Sequence, residues 1–255
     1  MDLGIAGRGA IVCDSSKGLG RACAMELARA GCRVVVNGRD AIRLEATAAE
    51  IRAETGAEVI AVAGDLGDAR VREVLLEACP APDILVNNNG GPPRAEFETL
   101  TREQILSGID ANMLTPIALI QRVAPGMAER KFGRIINITS ASVRAPIAGL
   151  DVSSGARAGL TAFLAAAARR YARDNVTINS IQPGMFDTDR VRETVADAPG
   201  GAAAALAERA AKIPAARLGS PAEFGALCAF LASAHAGYIA GQNLLIDGGA
   251  FPGAF

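Results

Sequence analysis

The stretch from Gly9 to Gly20, GAIVCDSSKGLG, constrains this chain more than any other. It reads as a buried strand at Ala10 to Val12, a tight Ser/Lys/Gly turn, and a helix opening at Gly18. A helix N-terminus presents unpaired N–H groups and the positive end of its dipole. Gly18 and Gly20 leave no side chain to keep a pyrophosphate from those groups. The pattern is that of a dinucleotide cradle, although glycines also end strands and cap helices, so the rest of the chain must decide.

Beyond the turn, helical and β-branched stretches alternate. A helix from Arg21 to Ala30 stops at Gly31, and Arg33 to Val36 is a short buried strand. Asp40 to Thr55 and Asp68 to Ala78 are helical, and Glu58 to Ala63 and Asp83 to Asn87 are strands. Thr101 caps a helical run that continues to about Arg130, with Pro116 and Pro125 expected to bend or end parts of it. Strands at Arg134 to Thr139, Val176 to Gln182 and Asn243 to Ile246 alternate with helices at Ser153 to Asp174 and from Pro221 to about Ala232. Such alternation implies α/β architecture: a parallel, doubly wound sheet with helices on both faces, binding its ligand at the carboxyl ends of the strands. With no repeat or linker, residues 1–255 read as one domain. The Ala/Gly-rich span 185–216, with only Leu206 and Ile213 to fix it, reads as a mobile lid.

Half of the residues are hydrophobic and only 4% aromatic, so the core is aliphatic. A net charge of −1 gives no support to nucleic acid or an anionic membrane as partner. No apolar run is long enough for a membrane span, and the N-terminus lacks a secretory pattern, so a cytoplasmic location is expected. Five cysteines without a CxxC read as small buried thiols in a reducing compartment. The single histidine, His235, reads as a helix-end residue, and no metal site is expected.

The strand ends carry the chemistry. Ser15, Ser16, Lys17 and Gly18 follow the first strand, and Asn37-Gly38-Arg39 the second. An acidic residue after the second strand would bind a ribose 2′-hydroxyl, whereas an arginine accommodates a 2′-phosphate. No carboxylate occurs there before Asp40, so Lys17 and Arg39 favour NADP(H), with NAD(H) the alternative and a solvated Arg39 the bland reading.

These motifs resemble, along nearly the whole chain, the short-chain dehydrogenase/reductase family that includes the 3-oxoacyl-carrier-protein reductases. Gly18-Leu19-Gly20 matches the end of the family's TGxxxGxG turn. Asp65-Leu66 matches the pair that holds adenine, and Asn87-Asn88-Asn89-Gly90 matches NNAG with Asn89 in place of alanine. Asn112 matches the asparagine that kinks a long helix and anchors a water, and Ser140 the catalytic serine. Pro183-Gly184 and Thr188 match the segment that holds the nicotinamide carboxamide and phosphate. Gly219, Pro221 and Glu223 match GxPxE, and Gly241-Gln242 with Asp247-Gly248-Gly249 matches the C-terminal strand. The resemblance implies a Rossmann-type domain of seven parallel strands. It also implies a homo-oligomer, dimer or tetramer, assembled through the Ala-rich helix at 154–173 and the C-terminal strand.

Two departures stand out. Asp14 replaces the first glycine of the cofactor turn, where its carboxylate could bond a ribose hydroxyl but would repel a nearby phosphate. The YxxxK pair is absent: thirteen residues past Ser140, and then four more, lie Ser153 and Arg157. Ser153 is a poor general acid, and Arg157 is a fixed cation able to hold the cofactor ribose and stabilise an alkoxide. The leading expectation is an NAD(P)-linked oxidoreductase acting on a small carbonyl or alcohol, with Ser140, Asn112, Ser153 and Arg157 at its centre. The alternative is a nucleotide- or metabolite-binding protein, a sensor or supporting subunit; a third reading uses Asp151 as a base. The substrate is not legible: Arg190 and Arg192 could meet an acidic substrate or lie in solvent, as could Arg94 and Arg144.

Overall fold

The structure is a computed structural model, and it describes residues 1–253; the last two residues of the expected 1–255 span lie outside the described ones. The first half of the chain runs β1 (Gly9–Val12), α1 (Gly18–Arg29), β2 (Arg33–Gly38), α2 (Ala41–Thr55), β3 (Val59–Ala63), α3 (Ala69–Ala78) and β4 (Ile84–Asn87). The second half runs α4 (Arg102–Ile109), α5 (Thr115–Glu129), β5 (Gly133–Ile138), α6 (Asp151–Ala172), β6 (Val176–Pro183), α7 (Asp189–Glu193), α8 (Ala202–Ala211), α9 (Pro221–Ala232) and β7 (Asn243–Ile246).

The seven strands form one sheet in the order β3-β2-β1-β4-β5-β6-β7, every neighbour parallel. Successive side chains leave a strand on opposite faces, so each strand feeds two cores. Val12, Val36 and Val86 pack with Leu27 of α1, Ile51 of α2 and Phe224 of α9. Ile11, Val35 and Leu85 pack with Leu75 of α3, Val123 of α5 and Leu164 of α6. The strand order reverses between β1 and β4, where Val12 lies opposite Val86. The chain leaves these two strands at Cys13 and Asn88, opening a crevice at their carboxyl ends.

Three details differ from the sequence expectation. The long helical run is interrupted by a π-helical segment at Asp110–Leu114, not by either proline; Pro116 sits in the first turn of α5 and Pro125 is carried inside it. A proline in the first turn gives up an N–H that has no intrahelical partner, so it need not break the helix. The span 185–216 folds into α7 and α8 and has more anchors than Leu206 and Ile213: Val195 is buried, and Phe186 meets Phe224 edge-on at 5.4 Å between centroids. Finally, α6 begins at Asp151, two residues earlier than expected, leaving that carboxylate exposed in its first turn. All five cysteines are free and buried. His235 lies in a 3-10 turn after α9, its Nε2 2.8 Å from the Asp2 carbonyl. Among the described residues no helix is long and apolar enough to cross a membrane.

Candidate functional site

The crevice is floored by the turn after β1. Asp14 adopts φ +41° and Gly18 φ +60°. The nearest atom to a β-carbon built on Gly18 is a Thr188 methyl at 3.8 Å, so Thr188 at the N-cap of α7 faces an open cradle. Gly20 has a different reason to be glycine: any side chain there would overlap the Asp14 carbonyl. Leu19 is partly buried against the core. Ser15 is fully buried, its hydroxyl donating to the Val12 carbonyl at 2.7 Å and accepting from Asn37 N–H at 3.1 Å. It ties β1 to β2, whereas the Ser16 carbonyl accepts from Thr47 at 2.8 Å. Asn88 holds the turn from β4, its Nδ2 donating to the Asp14 carbonyl at 2.9 Å.

Charge is concentrated at one rim. Lys17 pairs with Glu193 of α7 at 3.4 Å, and Arg39 is exposed at the end of β2. Asp14 faces both and Arg190; burial raises its pKa, and the charges of Arg39, Lys17 and Arg190, in that order, oppose the rise. An N–H from Gly90 also steadies its carboxylate. Asp65 is exposed and accepts from Gly67 N–H at 2.9 Å, while Leu66 is buried in the core. At the other wall Gly184 donates its N–H to Ile246 at 2.9 Å, and a β-carbon there would lie 2.6 Å from Asp247 Cβ. The glycine lets the chain after Pro183 pass close to the C-terminal strand. An open Gly18 cradle, a facing threonine and cations at the β2 end are the donor set that a phosphorylated dinucleotide requires.

Of the four side chains that the sequence reading places at the reacting end, Ser140, Asn112, Ser153 and Arg157, the last two are in direct contact. Ser140 lies two residues past β5, at the start of a 3-10 turn; its Oγ accepts from Ser142 N–H at 3.1 Å, leaving its own proton free to donate. Asn112 lies in the π segment, with Nδ2 donating to Gly108 at 3.3 Å and a buried Oδ1 that has no partner. Such an oxygen is a ready acceptor for a water. Arg157 is buried on α6 and spans the site: Nε donates to Ser153 Oγ at 3.2 Å, Nη1 to the Ile138 carbonyl at 2.6 Å and Nη2 to the Asn89 carbonyl at 2.9 Å. Burial, and secondarily the charge of Arg190, lowers its pKa to about 10, so it stays a cation at neutral pH.

Asn89 explains part of this arrangement. Its Nδ2 donates to the Ala111 carbonyl at 2.6 Å, bracing the loop after β4 against the π segment. An alanine there could not do so. The long arginine and the asparagine therefore work together, Arg157 holding the Asn89 main chain and Asn89 holding the helix break. Sequence reading singled out both positions but not the contacts, because bonds to main-chain carbonyls leave no residue-type signature on the acceptor. It also left Arg190 open between substrate and solvent; the residue is exposed, and its guanidinium lies over Gly91 at the rim of the crevice. A β-carbon built on Gly91 would lie 3.2 Å from Arg190 Nη2 and 3.4 Å from Ser153 Oγ. Arg144 instead holds structure, donating to Gln182 Oε1 at 2.8 Å and to the Asn243 carbonyl at 2.9 Å.

A parallel sheet with its crevice at the β1/β4 reversal and a glycine turn into α1 define a dinucleotide-binding fold. A family model described as enoyl-(acyl carrier protein) reductase matches residues 14–250. The NADPH-dependent reductase BacG of Bacillus subtilis is 33% identical over 251 residues, covering 95% of this chain and 97% of that protein. The 3-oxoacyl-[acyl-carrier-protein] reductase FabG of Pseudomonas aeruginosa is 31% identical, covering 98% of this chain and 99% of that one. The structure of L-sorbose reductase from Gluconobacter frateurii, in complex with NADPH and L-sorbose, is similar with a TM-score of 0.92 at 28% identity, covering 99% of this chain and all of that one. The chain belongs to the short-chain dehydrogenase/reductase family.

Proposed function

We propose that this chain is an NADP(H)-dependent reductase of a small carbonyl compound, running in reverse as an alcohol dehydrogenase. The hydrogen bond from Arg157 Nε to Ser153 Oγ carries the reading. It fixes the serine oxygen as an acceptor and turns the hydroxyl proton outward, toward a substrate oxygen. The phosphate end of the cofactor is assigned to Gly18, Thr188, Lys17 and Arg39, with Asp14, Ser16, Asp65, Asn88 and Gly90 along the adenosine side and Pro183-Gly184 at the nicotinamide. The printed NADPH dependence of BacG and the NADPH complex of L-sorbose reductase support the phosphorylated cofactor.

When bound, the cofactor supplies or accepts a hydride. Ser140 and Ser153 donate to the substrate oxygen, and Arg157 stabilises the negative charge that develops there. A proton from solvent, passed through a water on Asn112 Oδ1, completes the alcohol. Without a phenol of matched acidity, general acid catalysis worth about 10²–10⁴ in rate is weakened, while proximity of the two reactants is kept. Exposed Leu114, at the end of the π segment, and exposed Phe163 on α6 support assembly into dimers or tetramers; a cytoplasmic location is part of the same proposal.

Calorimetric titration with NADPH, NADP, NADH and NAD, followed by a carbonyl panel, tests the proposal. Tight binding of the phosphorylated pair and NADPH oxidation by at least one carbonyl are expected. If no carbonyl is reduced by the native chain but a Ser153→Tyr/Arg157→Lys double variant reduces one, the protein is a binding module and not a reductase.

A further inference from the structure

The exposed arginine of α7 that lies over Gly91 goes beyond the reaction class to the substrate. Arg190 reaches over Gly91 to the place where Ser153 and Arg157 meet. Its neighbours do not share this direction: Arg192 is held by Asp187 at 2.8 Å, and Glu193 by Lys17 at 3.4 Å. Those two pairs engage its neighbours on α7, and among the described residues Arg190 has no ion-pair partner of its own. Among the described residues no carboxylate comes within 4.0 Å of Arg190 to pair with it. Asp14 is the nearest anion whose field it enters.

Two guanidinium groups then face one small space. Arg157 spends three of its donors on Ser153, Ile138 and Asn89, which leaves one N–H on each terminal nitrogen. Among the described residues Arg190 makes no hydrogen bond or ion pair, so its fork is unspent there. The two charges repel, the exposed Arg190 facing the buried Arg157, and burial already disfavours the charge on Arg157. An oxyanion between them reverses the sign of that interaction, and a planar carboxylate matches the fork geometry. The position within the crevice decides which anion. The phosphate cradle lies at Gly18 and Thr188, whereas the Arg190 nitrogens lie within 3.5 Å of a point over Gly91 that is 3.4 Å from Ser153 Oγ. That is the reacting end.

We propose that Arg190, with the free edge of Arg157, is the receptor for a carboxylate carried by the substrate, so that the enzyme acts on a short oxo acid whose carboxylate lies close to its carbonyl. The carbonyl oxygen is placed at Ser140 and Ser153 and the carboxylate at Arg190. Reduction gives the hydroxy acid, with hydride and proton arriving as described above. Arg190 is thus a specificity-determining residue, and the assignment rests on the reductase reading.

The test uses binding, so that it does not depend on turnover. Protein saturated with NADP, which cannot reduce a carbonyl, is titrated with 2-oxobutanoate, acetoacetate and levulinate, each against its methyl ester. At least one acid is expected to bind about tenfold or more tighter than its ester, and Arg190→Gln to reduce that ratio to near one. Arg190→Lys should keep part of the preference, and Arg192→Gln all of it. Equal binding of every acid and ester, or a preference that survives Arg190→Gln, overturns the proposal. A loss of NADP affinity in Arg190→Gln comparable to the loss for the acid also overturns it, because the arginine would then serve a cofactor phosphate. Should NADP itself not bind, the reductase reading fails separately, and the same titrations on the free protein decide the carboxylate receptor by the same criteria.

Discussion

Arg157 occupies a position where a lysine would hold only a point charge, and it uses a planar fork to bind two main-chain carbonyls and a hydroxyl at once. Its structural and chemical roles can be separated by substitution. Arg157→Met leaves the Ile138 and Asn89 carbonyls without a donor, at about 1–3 kcal/mol each. It should lower the melting temperature and reduce kcat/KM with NADPH by about 10²-fold or more. Arg157→Lys keeps the charge but loses the fork, so it should melt almost as early while retaining more activity. Asp14 offers a pH test. Its folded pKa is raised, so the fold favours the protonated carboxyl: that contribution to stability is fully present below the ordinary value of about 3.9 and is lost as pH rises through the folded pKa. Asp14→Asn should therefore raise the melting temperature at neutral pH, with the gain shrinking as the pH falls toward that of a free carboxylate. Asp14→Gly should add relief of the left-handed φ of +41°, worth about 1 kcal/mol. Both residues are legible in the sequence as departures from a pattern. What they touch is not, because an arginine facing main-chain carbonyls and one facing solvent are written with the same letter.

The π segment at Asp110–Leu114 is the element on which the site turns. It places the Asn112 side chain inward, and the Ala111 carbonyl it presents is taken up by Asn89. Asn89→Ala should cost about 1 kcal/mol of stability. It should also lower activity more than it lowers cofactor affinity, since it loosens the brace between the loop after β4 and Asn112; thermal melting with kcat and calorimetry in parallel would show this. The sequence pointed both to the prolines, as breakers, and, by resemblance, to Asn112; the break falls at the asparagine. A proline in a first turn is compatible with a helix, and one inside α5 is tolerated where tertiary packing holds the helix on both sides. The Ala/Gly-rich span folds into α7 and α8 for a related reason. Alanine has the best helix propensity, and buried Phe186, Val195 and Ile213 supply the anchors that a thin hydrophobic pattern conceals. By contrast the strands were legible almost to the residue, because buried parallel strands read as short β-branched runs.

At the scale of the molecule, side-chain amides cross the sheet where the strands end. Asn87 donates to Asn137 at 2.9 Å, Asn137 to the Asn179 carbonyl at 3.3 Å, and Asn179 to Ile239 at 2.7 Å. At the opposite end of the strands, at the start of β5, buried Arg134 packs over Phe132 at 4.3 Å and donates to the Ser233 and Asn175 carbonyls. Burial pushes its pKa down to about 10. Arg134→Leu, which strips those carbonyls of donors, should lower the melting temperature by several degrees without altering cofactor affinity, because it lies away from the crevice. Doubly wound topology was legible from strand and helix alternation, and the crevice from where that topology reverses. The carboxylate receptor was not, since it joins Arg190 to Arg157 across the strand ends, a pairing that only the fold creates. Sedimentation should give a species of twice or four times 26.1 kDa; a monomer at that mass would remove assembly from the account.

The central claim is that hydride transfer survives the loss of the tyrosine–lysine pair because Arg157 and Ser153 together hold and polarise the substrate oxygen. Single-turnover mixing of the native chain with NADPH deuterated at nicotinamide C4, and with an oxo acid selected by binding, tests it directly. The account predicts deuterium at the carbinol carbon of a hydroxy acid, at a rate that falls about 10²-fold or more in Arg157→Met. Tight binding of both ligands with no deuterium transferred would contradict it and identify the chain as a binding module on a reductase fold.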